Sequence, residues 1–319
     1  MKVAVVGAGY LGRFHALKYA AMEDVELVAV VDVDEERAAK VAKETNSTPY
    51  VTYEEVIPSI DAASIVVPTT LHYQVAKELL GAGIHIMLEK PMTTTVEEAK
   101  ELVELANEKG LVLQVGHLER YNPAIKTLLE RVTHPVFIEA HRLSGFKGRA
   151  TDVDVVLDLM IHDIDIVLAL INSEIKEIRA SGVPVLTPRI DIANVRVIFE
   201  NGCTANLTAS RISLKDLRRI RVFQPGCYLS ADCTEKNNLI VTADKNISDP
   251  RLSIRPEFIK HQDTDILDLE LRDFIRNVIE GKRPMVDGKA GMDALDLALR
   301  INRAIEEALA NANIKDVWK

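Results

Sequence analysis

The chain of 319 residues carries 39 Lys and Arg against 48 Asp and Glu, a formal charge of −9, with 47% hydrophobic and 27% charged residues. That length suits two globular domains of about 100–200 residues each, and the balance argues against membrane spans, disordered tails and broad binding to nucleic acid or anionic membranes. Three cysteines, Cys203, Cys227 and Cys233, are an odd count without CxxC spacing, which suits reduced thiols in a cytoplasmic protein and builds no metal cluster.

In chain order, the first apolar run, residues 3–6, is broken by Gly7, Gly9, Gly12 and Arg13 too early for the core of a signal peptide, so export is not expected. No window reaches the roughly 20 apolar residues of a membrane helix. Up to about residue 118, short β-branched runs at 3–6, 27–31, 64–67, 84–88 and 111–115 alternate with helical spacing at 33–45, 71–82 and 96–109. Continuous apolarity in the runs predicts strands covered on both faces, in βαβ units of a parallel sheet. Gly83 and Gly110 end two of the helices. After Pro123 the texture changes: a nearly all-apolar helix at 154–171, extended runs at 177–186, 193–200, 204–210, 220–224, 228–232 and 239–243, and two closing helices at 266–280 and 290–312. Asn201-Gly202 and Pro225-Gly226 lie between such runs, the first a strong hairpin signal.

Gly7-Ala8-Gly9-Tyr10-Leu11-Gly12 follows the first strand directly and opens a helix, where a dinucleotide fingerprint must sit. Gly7 permits the tight turn, Gly9 lets the backbone approach a pyrophosphate, and Gly12 allows helix to pack on strand; an ordinary turn is the plain alternative. The helix N-terminus offers N–H groups and a favourable dipole to phosphate. The fold class expected is therefore α/β: an N-terminal Rossmann domain with a doubly wound parallel sheet over 1–120, and a C-terminal α+β domain over 121–319 with a large, mostly antiparallel open-faced sheet for substrate binding and oligomerisation. Asp32 ends the second strand twenty positions after Gly12, where a carboxylate accepts from ribose hydroxyls and repels a 2′-phosphate, so NAD is expected rather than NADP. Arg37 works against that preference.

The helix at 154–171 places Asp154, Asp158, His162 and Asp165 at i, i+4, i+8 and i+11, one ionisable stripe on an apolar element. Burying such groups is costly unless they are paired or face a polar cavity, so a functional cleft is the economical explanation, with a structural Asp–His network as the alternative. Two carboxylates and a histidine are also donors for a divalent ion, but no second histidine is near, and no metal is expected.

Glu89-Lys90-Pro91 closes the fourth strand. Together with the fingerprint extended to His15, the segment Pro68-Thr69-Thr70-Leu71-His72 and the helix from Asp158 to Asp165, it completes four ordered motifs spread over nearly the whole chain that resemble the Gfo/Idh/MocA family of NAD(P)-dependent oxidoreductases. The resemblance implies that Lys90 lies near both nicotinamide and substrate, and that Tyr10, Leu11, Thr69, His72 and Glu89 belong to the cofactor site. A strand's C-terminal end in an open α/β sheet faces the cofactor crevice, so a lysine there can donate to a reacting oxygen; without the resemblance Lys90 reads as an exposed loop lysine. His15 and His72 match family positions beside the cofactor or else are packed or capping histidines. Met160 departs from the family pattern, where most relatives have glycine, and is expected to narrow the cleft.

An alcohol is a weak acid, so hydride departure must be coupled to removal of its proton; His162 is the expected base, oriented by Asp158, with Lys90 stabilising the developing alkoxide. The resemblance places Arg120 and Tyr121 in a crossover where residues reach substrate, and Asp165 on the same helix face. Arg142, Lys147 and Arg149 form a cationic cluster able to hold a diphosphate, or else a solvated basic loop. Taken with Leu207-Thr208-Ala209-Ser210-Arg211, the whole resembles the family branch that oxidises the 3-hydroxyl of UDP-N-acetylglucosamine. An inositol or free-sugar dehydrogenase and a cofactor-bound regulator without turnover are the rival expectations. Alternating faces at 193–200 and 204–210 are expected to carry apolar side chains outward into a homodimer or homotetramer interface.

Overall fold

The computed structural model describes residues 1–146, 148, 153–244, 246–247 and 249–312. It divides into two compact units, Met1–Leu118 with Asp265–Leu295, and Glu119–Thr264 with the chain from Asp296 onward.

The first unit contains β1 (Lys2–Val6), α1 (Tyr10–Ala20), β2 (Glu26–Val31), α2 (Glu35–Thr45), β3 (Thr48–Tyr50), β4 (Ala62–Ile65), α3 (Thr69–Gly81), β5 (His85–Leu88), α4 (Val96–Lys109) and β6 (Leu113–Val115). Among the described residues its sheet has the order β3-β2-β1-β4-β5-β6, all parallel. The order reverses direction between β1 and β4, and in doubly wound sheets such a switch point is where a crevice opens at the carboxyl ends of the strands. Local chemistry fixes the helices. Asp34 caps α2 by accepting from Arg37 N, Thr95 and Glu98 form a capping box on α4, and left-handed Asn46 and Gly110 end these two helices. The short strand β3, absent from the expected runs, is three residues long and partly exposed at the sheet edge.

The second unit contains α5 (Pro123–Arg131), β7 (Phe137–Leu143), a π-helical turn (Val156–Met160) leading into α6 (Ile161–Leu170), β8 (Ile175–Val183), β9 (Ile192–Phe199), β10 (Thr204–Ser210), β11 (Leu217–Gln224), β12 (Cys227–Asp232), β13 (Asn237–Ala243), α7 (Pro250–Ser253) and β14 (Ile254–Lys260). Its sheet runs β14-β13-β12-β11-β7-β10-β9-β8, antiparallel throughout except for the β7–β10 pair. Strand β8 stops at Val183, short of the expected residue 186, because the Asp191 carboxylate gathers Val185 N, Leu186 N and Thr187 N into a turn.

Two expectations are corrected here. The sequence places 265–295 in the second domain, whereas α8 (Ile266–Glu280) and the first turns of α9 (Gly288–Asn311) belong to the first unit. The reason is packing: Leu271, Phe274 and Ile275 of α8 are buried in one cluster with Val3, Val5, Tyr19 and Val30. The outward face of β9 and β10 is polar rather than apolar, with Asn194 Nδ2 donating to Thr208 Oγ1 at 2.8 Å and Arg196 Nε to Asn206 Oδ1 at 3.0 Å. Exposed apolar side chains of this unit include Leu239, Leu252, Ile254 and Phe258 on and beside β13 and β14, and also Val136, Val185, Leu186 and Leu214 elsewhere.

Candidate active site

In the first unit the turn from β1 into α1 admits only glycine at two of its positions. Gly7 has φ +101°, and a Cβ there would lie 2.5 Å from Val66 O; at Gly12 a Cβ would lie 1.8 Å from Gly7 O. Gly9, the N-cap, borders open space, with no atom within 4 Å of an added Cβ. Unlike α2, α4 and α8, α1 has no side chain capping its N-terminus and no acid in its first turn. An open cradle at the N-terminus of α1, where the first N–H groups of a helix have no partner within it, fits a dinucleotide pyrophosphate, and the residues present are the right ones to hold it. Asp32 braces the turn: Oδ2 accepts from Ala8 N at 2.8 Å and Oδ1 from Asp34 N at 3.0 Å. Arg37 Nη1 stands 3.4 Å from Asp32 and its Nη2 2.9 Å from Asp34, so this cation is engaged with the carboxylates. Tyr10, at the start of α1, and Val33, just after β2, project 75% and 91% exposed, apolar surface of the kind a coenzyme covers. Leu11 follows in the first turn of α1, and Thr69 begins α3 directly after Pro68.

At the end of β5, Glu89 N donates to Ile65 O and Lys90 N to Glu89 Oε2, and the Lys90–Pro91 bond is cis. The Glu89 side chain is buried, with His15 Nε2 3.2 Å from its Oε1. His72 is buried too; its Nδ1 lies 2.9 Å from Pro91 O and its Nε2 2.9 Å from Val67 O. Burial lowers the His72 pKa despite these carbonyls, and a neutral ring donates to only one of them. His72 therefore ties the Glu-Lys-Pro turn to the loop before α3, the packed alternative to the place beside the cofactor that the resemblance implies.

In the second unit the expected regular helix opens with a π turn at Val156–Met160 and becomes α-helical from Ile161. Such turns widen a helix locally and occur often at functional positions. Asp154 leaves the stripe to act as a cap: its Oδ1 accepts from Val156 N and Leu157 N, and its Oδ2 from Asn302 Nδ2. Asp158 is half-buried on the π turn and His162 buried on the first turn of α6, four positions on. Met160 is fully buried between them in sequence, so its bulk goes into the core. Asp165 is buried, with Oδ1 3.3 Å from Arg120 Nη1 and Oδ2 without a hydrogen-bond partner among the described residues; burial pushes its pKa up to about 7 even though Arg120 opposes the shift.

Arg142 requires a correction. Instead of facing an open loop, it points inward from β7, buried, with Nη1 2.8 Å from Glu119 Oε1 and Nη2 2.7 Å from Asp163 Oδ1. Burial works to raise the Glu119 pKa, but Arg142, Arg218 and Asn122 together hold it below the usual carboxylate value. Burial dominates at Asp163, whose pKa is raised. A guanidinium already committed to two carboxylates is not available to a diphosphate. Tyr121 is likewise buried, its ring 5.6 Å from Lys126 Nζ. Lys147 and Arg149 lie outside the described residues, as does Trp318. Glu119 and Asp163 were legible only as isolated acids in sequence; four positions separate Asp163 from Leu159, and nothing local links it to Arg142.

A doubly wound parallel sheet whose first turn is a glycine cradle, joined in one chain to a mostly antiparallel sheet, defines a dinucleotide-binding protein of two units. Residues 1–117 match the oxidoreductase family with an NAD-binding Rossmann fold (Gfo/Idh/MocA), and residues 132–224 match the Gfo/Idh/MocA C-terminal domain. Over 311 residues the chain is 39% identical to the UDP-N-acetylglucosamine 3-dehydrogenase of Acidithiobacillus ferrooxidans, covering 97% of this chain and 98% of that one. A solved structure of that enzyme superposes with a TM-score of 0.90 at 38% identity, over 96% and 98% of the two chains. A scyllo-inositol dehydrogenase from Lactobacillus casei, solved with NAD(H) and scyllo-inositol, shares the fold at a TM-score of 0.81 and 19% identity, over 97% of each chain. The chain belongs to the Gfo/Idh/MocA family and is an oxidoreductase.

Proposed function

We propose that this enzyme oxidises the 3-hydroxyl of UDP-N-acetylglucosamine with NAD. The observation that carries the reading is the likeness, along nearly the full length of both chains, to a dehydrogenase of that substrate. NAD rather than NADP is supported by Asp32, whose carboxylate follows β2 beside the glycine turn and would repel a 2′-phosphate. Bound nicotinamide supplies the carbon that accepts the hydride. The chain's own part is proton handling: His162 takes the hydroxyl proton, Asp158 orients the ring and stabilises the imidazolium, and Lys90 donates to the oxygen as charge builds on it. Arg120, Tyr121 and Asp165, with Lys147 and Arg149, are assigned to substrate. Free Cys203, Cys227 and Cys233 support a cytoplasmic setting, and the apolar side chains exposed near β14 support a homodimer or homotetramer.

The commitment of Arg142 to Glu119 and Asp163 favours one second reading, a free polyol or sugar as substrate, because it removes a cation from the set a diphosphate would use. An absorbance assay of reduced nicotinamide with NAD and a panel of UDP-sugars, free hexoses and inositols separates the two. UDP-N-acetylglucosamine is expected to give a kcat/KM at least about tenfold above any free sugar, roughly 1.4 kcal/mol of transition-state preference. A preference for an inositol overturns the assignment, and tenfold better turnover with NADP overturns the choice of cofactor.

A further inference from the structure

We propose that His15 and Glu89 are positioning residues for Lys90, acting through a buried chain of polar side chains that runs from α1 to the Glu-Lys-Pro turn. The proposal rests on the reading of Lys90 as the donor to the reacting oxygen. Four buried groups stand in sequence: Tyr19 Oη lies 2.8 Å from Ser64 Oγ, Ser64 Oγ 3.2 Å from His15 Nδ1, and His15 Nε2 3.2 Å from Glu89 Oε1. The last approach is a close polar contact and not a straight hydrogen bond. A carboxylate only accepts, so the order of protons is set from that end. Nε2 carries the imidazole proton toward Glu89, Nδ1 accepts from the Ser64 hydroxyl, and Ser64 accepts from Tyr19.

The other carboxylate oxygen, Oε2, accepts from Lys90 N at 3.3 Å. Gly116 closes the opposite side, where a Cβ would come within 2.8 Å of Oε1, so the carboxylate is boxed between α1 and the end of β6. Burying four polar side chains in a core that apolar residues would fill is costly unless each is bonded. Here two hydrogen bonds, Tyr19 to Ser64 and Ser64 to His15, and one polar contact, His15 to Glu89, lead to the residue that precedes the lysine. Helix α1, which carries the glycine cradle at its N-terminus, carries His15 further along the same helix, so one rigid element holds both the coenzyme cradle and the carboxylate under Lys90.

Glu89 faces a donor at each oxygen, Lys90 N in a hydrogen bond at Oε2 and His15 Nε2 in polar contact at Oε1. Glutamine keeps the shape but offers one acceptor, so Glu89→Gln sacrifices either the His15 contact or the Lys90 N–H. In turnover assays on the alcohol that the parent oxidises, Glu89→Gln and His15→Ala are each expected to lower kcat by about 10–100-fold, the scale of a misplaced catalytic group. KM for the alcohol is expected to stay within about twofold of the parent, and kcat to fall by a larger factor than NADH affinity measured by titration, because the glycine cradle at the N-terminus of α1 is untouched. His15→Gln, which restores a donor toward Glu89, is expected to recover kcat to within about threefold of the parent. A crystal structure of Glu89→Gln is expected to show the Lys90 side chain in several rotamers where the parent has one.

Lys90→Ala is the control for the underlying reading: if it retains the parent kcat, that reading fails. If Lys90→Ala loses turnover while Glu89→Gln keeps the parent kcat and a single Lys90 rotamer, the positioning proposal is wrong. Should the His15 and Glu89 variants not fold, Gly116→Ala crowds the same carboxylate; unchanged kcat in that variant overturns the proposal, and a tenfold loss at constant NADH Kd upholds it.

Discussion

Asp165 sits fully buried with its pKa pushed up to about 7, first by loss of water and only partly offset by Arg120. The sign follows from linkage: between about pH 4 and pH 7 the unfolded chain has released this proton and the native state has not, so native stability falls as pH rises through that window. Below it both states are protonated, and above it both are ionised. Urea unfolding of the parent and of Asp165→Asn across the window is expected to show the parent losing about 2–4 kcal/mol relative to the variant. A flat difference would mean that Arg120 holds the carboxyl ionised. The same residue illustrates what sequence can and cannot reveal. The stripe marked Asp158, His162 and Asp165 as unusual because ionisable groups on an apolar helix demand an explanation. Arg142 gave no such warning: a cation beside Lys147 and Arg149 in sequence looks like part of a basic loop, and only tertiary structure turns it toward Glu119 and Asp163.

Among the elements, those with a single dominant signal were readable. The glycine fingerprint, the βαβ alternation and the glycine that ends α4 depend on neighbours within a few positions. Strand β7 was hidden because its inward positions include Arg142, which breaks the apolar alternation, and β14 because Pro256 and a nearly fully exposed face hide the strand pattern. The π turn was invisible as well, since periodicity alone assumes regular winding across Val156–Met160. The turn between β1 and α1 allows a sharp test at this scale. Gly12→Ala places a methyl 1.8 Å from Gly7 O, which the turn can accept only by moving the first residues of α1. NADH affinity, read by fluorescence titration, is expected to fall at least about tenfold, with a stability loss of about 1–3 kcal/mol. Unchanged affinity would show that the cradle is not where the pyrophosphate binds.

For the molecule as a whole, two units were foreseeable from length and from the change of texture after Pro123, but their membership was not. Sequence distance placed α8 with the second half; the apolar positions Leu271, Phe274 and Ile275 nevertheless complete the core of the first unit. Phe274→Ala is expected to cost roughly 3–5 kcal/mol in urea unfolding, as deletion of a fully buried ring does, and to weaken NADH binding although the residue lies some 260 positions from Gly12 in the chain. A loss under about 1 kcal/mol would mean that α8 is an accessory to that core.

The split membership has a cost during synthesis. A ribosome adding about 5–20 residues per second releases the stretch ending at Val115 roughly 10–30 s before Phe274 follows. Through that interval the flank that will receive α8 is bare and greasy, a target for holding chaperones and for neighbouring nascent chains. The half of the enzyme begun first is among the last to be finished, and slowing translation late in the message is expected to lower the yield of folded protein more than slowing it early.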